Sequence, residues 1–301
     1  MRPPFVLASL LCSMLLALNV RAEGSPLPAN GKRAGLEIVV DEQGWGAVNT
    51  RDIQKVLYSV ADTLLPPTSP KTQLRIRVSH TDSNPIALYD RGPTGEYLIR
   101  LHANRARWHL YVYEFAHELC HVLSNYDRAG ADVVRRNQWL EETLCETASL
   151  YALGSLGTQW AEASADPQLV KQAAGLRRFF RSLVTEGHRN LPEGSELDDW
   201  LRQHVAHLCD DPYQREINDL LAKSMVPLFF ADPSGWDAIA YMNLHPDDAT
   251  ASVDEFLGHW RANAPERDQA FVARLSSLFV GALANTKYSQ ADTDLPGSAA
   301  R

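Results

Sequence analysis

Cysteine is scarce in this chain, with four in 301 residues, at positions 12, 120, 145 and 209. That count excludes a small scaffold held together by many disulfides. Basic residues are outnumbered, 29 Lys and Arg against 37 Asp and Glu, for a net charge of −8. A surface of that sign argues against nucleic acid as a partner. Beyond residue 22 no segment is long and apolar enough to cross a bilayer, and no internal repeat announces a solenoid or propeller. What remains is an ordinary globular composition, 45% hydrophobic and 22% charged. Such a chain can bury the core of one large domain or two small ones.

One apolar run stands apart. In "MRPPFVLASLLCSMLLALNVRA" an Arg near the start precedes 16 residues from Phe5 to Val20, and the stretch closes on Val20-x-Ala22. That order of charged start, apolar middle and small-residue end is expected of a cleaved export signal over residues 1–22. The remaining chain is then expected to be soluble and secreted or periplasmic, with no membrane span. Cleavage removes Arg2, Arg21 and no acid, which moves the net charge from −8 to −10. Cys12 leaves as well, so three thiols enter an oxidising compartment, enough for one disulfide and one free cysteine.

The pattern along the chain changes once. Four short apolar or alternating runs, "GLEIVV", "QLRIRVSH", "PIALYD" and "EYLIRLHA", are interrupted by the helix-like "NTRDIQKVLYSVADTLL". After Trp108 helical periodicity takes over and recurs to about residue 284, with Gly, Pro and Asn between segments and a capping-box spacing at Ser252 and Glu255. The expected class is α+β, a small mixed or antiparallel sheet followed by helices. The expected divisions are a core over 23–156, a helical region over 157–284 and a loose polar tail over 285–301.

The chemistry is concentrated in "YEFAHELCHVLSNYD", which contains His117-Glu118-Leu119-Cys120-His121. On a helix, residues four apart stand one turn apart and within about 40° of each other, so both imidazoles can meet one cation. Glu118 then lies beside that cation, where a general base can take a proton from a water. Phe115, Ala116, Leu119, Val122 and Leu123 make the helix apolar around this polar triplet. Burying it is costly unless the three groups are paired or metal-bound.

The third ligand has two candidates. "HELCHVLSNYD" reads as HExxHxxSxxD and resembles the compact metzincin pattern with Asp127 in the last ligand position. Ser124 stands where those enzymes turn on a glycine, and Met225 or Met242 would have to supply their methionine turn. The second candidate is in "QWLEETLCETASLYAL". Its "WLEE" resembles the glutamate helix of the gluzincin peptidases, the thermolysin-like and aminopeptidase-like zinc enzymes. The resemblance spans roughly residues 95–155. It implies that His117, His121 and Glu142 hold Zn²⁺, that Glu118 is the general base, and that Glu146 orients His117 through its distal nitrogen. Glu141, about 100° from Glu142 around the helix, is expected to face solvent or substrate.

The same resemblance makes "EYLIRLHA" the edge strand that binds an extended peptide, with Tyr97, Leu98, Ile99, Arg100 and Leu101 as substrate-binding residues; an interior strand is the other reading. His102 and His109 nearby are read as surface or packing histidines. Helices meeting around one zinc would bring Cys120 and Cys145 into bridging range, each three residues after a ligand, with Cys145–Cys209 as the rival pair. An oxyanion-stabilising group is to be sought among Tyr126, Tyr151, His188, His204, His207 and His245, none of which sits in a recognisable motif. The expectation is therefore a zinc peptidase acting on peptide or protein substrates. The alternatives are a metzincin-like enzyme using Asp127, or an inactive binding protein stabilised by zinc.

Overall fold

Alternation builds the sheet. In β1 (Leu36–Val40) Leu36 and Ile38 are buried, and in β2 (Leu74–His80) Leu74, Ile76 and Val78 are buried while Arg75 and Arg77 face water. The connection between them is α1 (Thr50–Leu64), whose buried Ile53, Val56, Leu57, Val60 and Leu64 recur at helical spacing. Asn49 caps it, its side-chain oxygen accepting the Arg51 N–H at 2.9 Å. A helical crossover of this kind lets β1 and β2 pair in parallel. The computed structural model describes residues 35–71 and 73–279. The expected export signal and polar tail lie outside the described residues.

Two further strands, β3 (Ile86–Arg91) and β4 (Tyr97–Leu101), complete the sheet in the order β1-β2-β4-β3. β4 pairs parallel with β2 and antiparallel with β3, so the sheet is mixed. Both edges of β4 are therefore occupied. This corrects the expectation that Tyr97, Leu98, Ile99, Arg100 and Leu101 bind substrate by strand addition: the open edge beside the HExxH helix belongs to β3.

From α2 (Trp108–Leu123) onward the described chain is helical: α3 (Gln138–Glu162), α4 (Pro167–Val184), α5 (Leu197–Asp210), α6 (Arg215–Ala231), α7 (Gly235–Ile239), α8 (Val253–Asn263) and α9 (Glu266–Ser277). α3 is central and packs against α2, α4 and α6. Between Trp139 and Leu153 nearly every side chain of α3 is buried, as for a helix enclosed on all sides. Caps mark the starts of its neighbours, Asp166 for α4 and the Ser252–Glu255 capping box for α8. The class is thus α+β with a helical C-terminal half. No break falls at residue 156, because α3 runs through it without interruption. Among the described residues no helix is long and apolar enough to cross a membrane.

Candidate metal centre and cleft

His117 and His121 face one side of α2, with ring centroids 5.1 Å apart. From the first turns of α3, Glu142 places one carboxylate oxygen, Oε2, 3.4 Å from His117 Nε2 and 3.6 Å from His121 Nε2. These separations match the edge of a tetrahedron around an ion with ligand bonds of about 2.1 Å, roughly 3.4 Å. Two imidazoles and a carboxylate with one side open are the donor set of a catalytic zinc site. Burial disfavours the charged carboxylate of Glu142, but His121 and His117 outweigh it and hold the group well below the usual carboxylate range.

Cys145 is a rival third ligand, since its sulfur and the two histidines offer donor atoms that all lie within 4.8 Å of one another. Glu142 is the better donor. Its Oε2 lies 3.4 and 3.6 Å from the two Nε2 atoms and it lines the cleft, whereas Cys145 is fully buried and does not. Cys120 and Cys145 do come together as the helices meet, but neither they nor Cys209 form a disulfide. The expected bridge is absent among the described residues.

Asp127 turns elsewhere. It lies in a single 3-10 turn, Tyr126–Arg128, and its carboxylate pairs with Arg91 at 2.5 Å. The left-handed residue of this turn is Asn125, at φ 61°, so Ser124 has no need of glycine's freedom.

Glu118 is buried at 5% exposure and lines the same cleft as His117 and Glu142. Burial raises its carboxyl above the usual range, against the pull of the two histidines and of the Ala87 backbone in β3. A carboxylate made more basic suits proton abstraction.

Glu141 corrects the sequence reading most sharply. It is 1% exposed, and its carboxylate receives three groups: His121 Nδ1 at 2.7 Å, Arg135 Nη1 at 2.5 Å and Asn243 Nδ2 at 2.7 Å. Lying about 100° from Glu142 means facing water only on a half-exposed helix; on the enclosed α3 it means facing α2. Burial raises the Glu141 carboxyl, but His121 and Arg135 outweigh it and keep it ionised. Glu141 thereby fixes the His121 ring with Nε2 turned towards Glu142.

Glu146 does something different from the expected orientation of His117. Its carboxylate accepts the Tyr113 hydroxyl at 2.5 Å and pairs with Arg189 at 2.9 Å, and Arg189 also reaches Asp219 at 3.2 Å. This buried network forms part of the cleft wall. The cleft has a volume of about 340 Å³.

None of the six residues proposed for the oxyanion lines this cleft. The Tyr126 hydroxyl donates to the Leu88 carbonyl, and Tyr151 packs on Phe230 and Trp236. His188 binds Asp219, His204 stacks on Trp200, and His245 stacks on His259; His207 lies on α5. Instead Tyr213 and Arg215, at the start of α6, stand on the rim. They fall in "PYQRE", residues 212–216, which runs into the start of that helix, and nothing in its spacing ties it to the histidines. The chain matches no protein-family model, no curated protein and no solved structure.

Proposed function

We propose that this protein is an exported zinc-dependent peptidase, in which His117, His121 and Glu142 hold the metal and Glu118 acts as general base. The observation that carries the reading is the pair of distances, 3.4 and 3.6 Å, from one Glu142 oxygen to the two Nε2 atoms, with Glu118 in the same cleft. Zinc bound there would supply Lewis acidity, acidifying a water and polarising the scissile carbonyl. Glu118 takes the proton of the attacking water and passes it to the departing amine nitrogen. The open edge of β3 offers backbone groups to an extended peptide, and Ala87 on that strand lies near enough to Glu118 to influence its carboxyl. Tyr213, whose hydroxyl accepts from Gln138 at 2.8 Å and so keeps its own proton to donate, is the group on the rim suited to the developing oxyanion.

Metal analysis of the purified protein, with cleavage of a random peptide library, tests the reading. Glu118→Gln should keep zinc and the fold while turnover drops by at least the roughly 10²–10⁴-fold that a general base contributes. Equal cleavage by both proteins would remove Glu118 from this role. Protein that binds zinc, is stabilised by it and cleaves nothing would be a zinc-stabilised scaffold.

A further inference from the structure

We infer that the cleft selects substrates bearing a positively charged group next to the scissile bond, and that Glu114 is the residue that reads it. The inference rests on the peptidase reading above. Glu114 precedes Glu118 by one turn of α2, a rise of about 6 Å. It lines both the 340 Å³ cleft and an adjoining cavity of about 330 Å³.

Its side chain is fixed. Glu114 is 7% exposed, and its Oε2 accepts the backbone N–H groups of His102 and Ala103 at 2.8 Å each. Two such bonds to one oxygen leave the rotamer no freedom, while no described residue hydrogen-bonds Oε1. Arg107, the nearby cation in sequence, is turned to Asn104, with Nη2 2.7 Å from its Oδ1. Burial raises the Glu114 carboxyl, and the two backbone donors, with the charges of His102 and Arg107 at longer range, draw it part of the way back.

The surroundings are mainly acidic. Six carboxylates line the two cavities, those of Asp82, Glu114, Glu118, Glu142, Glu146 and Asp219, against one arginine, Arg215, and the imidazoles of His102 and His117. Arg215 is exposed, and water and salt screen it. Glu142 and Glu118 belong to the metal centre, Glu146 and Asp219 share the buried Arg189, and Asp82 is exposed. Glu114 is left as the buried carboxylate with an oxygen open to the cleft. No described cation makes an ion pair with Glu114, Arg107 and His102 acting on it only from a distance, so an ammonium or guanidinium group of the substrate fits there and a carboxylate does not. That cation is either a Lys or Arg side chain or the free α-amine of the peptide.

Four peptides of otherwise identical sequence separate the sources: Lys or Gln beside the cleaved bond, each with a free or an acetylated N-terminus. Wild type should show kcat/KM at least about tenfold higher for one cationic series, the effect of a charge-assisted hydrogen bond; the series that responds names the source. In Glu114→Gln, which keeps an oxygen for the His102 and Ala103 donors, that ratio should fall to near one. Wild-type cleavage of charged and neutral peptides at similar rates overturns the inference and leaves the peptidase reading standing. Retention of the ratio in Glu114→Gln also overturns it. Calorimetry on Glu118→Gln separates the two readings from the other side. Tighter binding of cationic peptides there, lost in the double variant with Glu114→Gln, supports the subsite even if wild type cleaves no peptide. Should Glu114→Gln fail to fold, the wild-type peptide comparison decides alone.

Discussion

Asn125 and Asn243 hold each other's loops. The Asn125 amide donates to the carbonyls of Ala240 and Met242 at 2.9 and 2.8 Å, and the Asn243 amide donates to the Ser124 carbonyl at 2.9 Å and to Glu141 at 2.7 Å. Both residues sit in the left-handed region, at φ 61° and 56°, where asparagine is one of the few tolerated side chains. The clasp fastens the segment after α7 to the turn that ends α2. It also delivers one of the three donors on Glu141.

Replacing Asn243 by Gly keeps the left-handed backbone without steric cost and so isolates the amide. Two partly buried hydrogen bonds are lost, and urea denaturation should show a loss of about 1–3 kcal/mol. Zinc titration of the same variant should show weaker binding, because Glu141 is held less firmly.

Glu141 and Glu146 should separate in their effects. Glu141→Gln weakens the tie to His121 Nδ1, and zinc affinity should fall by about 10–100-fold, as for other groups behind a metal ligand. Glu146→Gln breaks the pairing with the buried Arg189, and its main effect should be on stability, roughly 3–5 kcal/mol, with zinc affinity changed less. Competition with a chelator of known affinity, alongside thermal melts, distinguishes the two.

Glu142→Ala should abolish stoichiometric zinc, whereas Asp127→Ala should retain it, because the Asp127 carboxylate is engaged by Arg91. The cost of Asp127→Ala should be about 1 kcal/mol or less, as for a partly exposed ion pair. Metal content measured by atomic emission checks both, and the reverse order would restore Asp127 as the ligand.

Lys71 should make stability depend on alkaline pH. Burial lowers its ammonium from 10.5 to about 8, and its Nζ donates to Asn125 Oδ1 at 2.6 Å. Between these two values the unfolded chain holds a proton that the folded one has released, so stability rises with pH across that window. Unfolding midpoints followed through it should rise more in wild type than in Lys71→Met; equal slopes would show that Lys71 keeps an ordinary ammonium.

The fold was legible where local periodicity coincides with burial. Leu74, Ile76 and Val78 alternate with arginines as a half-buried strand must, and the Ser252–Glu255 box marked a true helix start. Strand order was not legible, because a run such as "EYLIRLHA" is equally apolar at an edge or inside a sheet; only the pairing of β4 with both β2 and β3 distinguishes them. α7 escaped because five residues are too few to show a period. At the site, the HExxH spacing is set by helix geometry and can be read directly, whereas Glu142, on another helix, was reached only through the resemblance carried by "WLEE". The role of Glu141 depends on Arg135 and on Asn243, 102 residues away. Its one local signal was the absence of a polar face on α3. Tyr213 and Arg215 reach the cleft through tertiary packing alone.

With 25 residues, α3 is a stiff rod of about 37 Å. Its first turns carry Glu141 and Glu142, and its last turns pass so close to α4 that a β-carbon added at Gly157 would lie 2.7 Å from Arg177 Cγ. A rod transmits what is done to its far end. Sliding α3 by one residue would move Glu142 by about 1.5 Å and swing it by about 100°, enough to carry it off the two histidines. The register of α3 against α4 therefore sets the position of Glu142, the proposed ligand, four turns away, and the helical half acts as the gauge that keeps the proposed metal centre in adjustment.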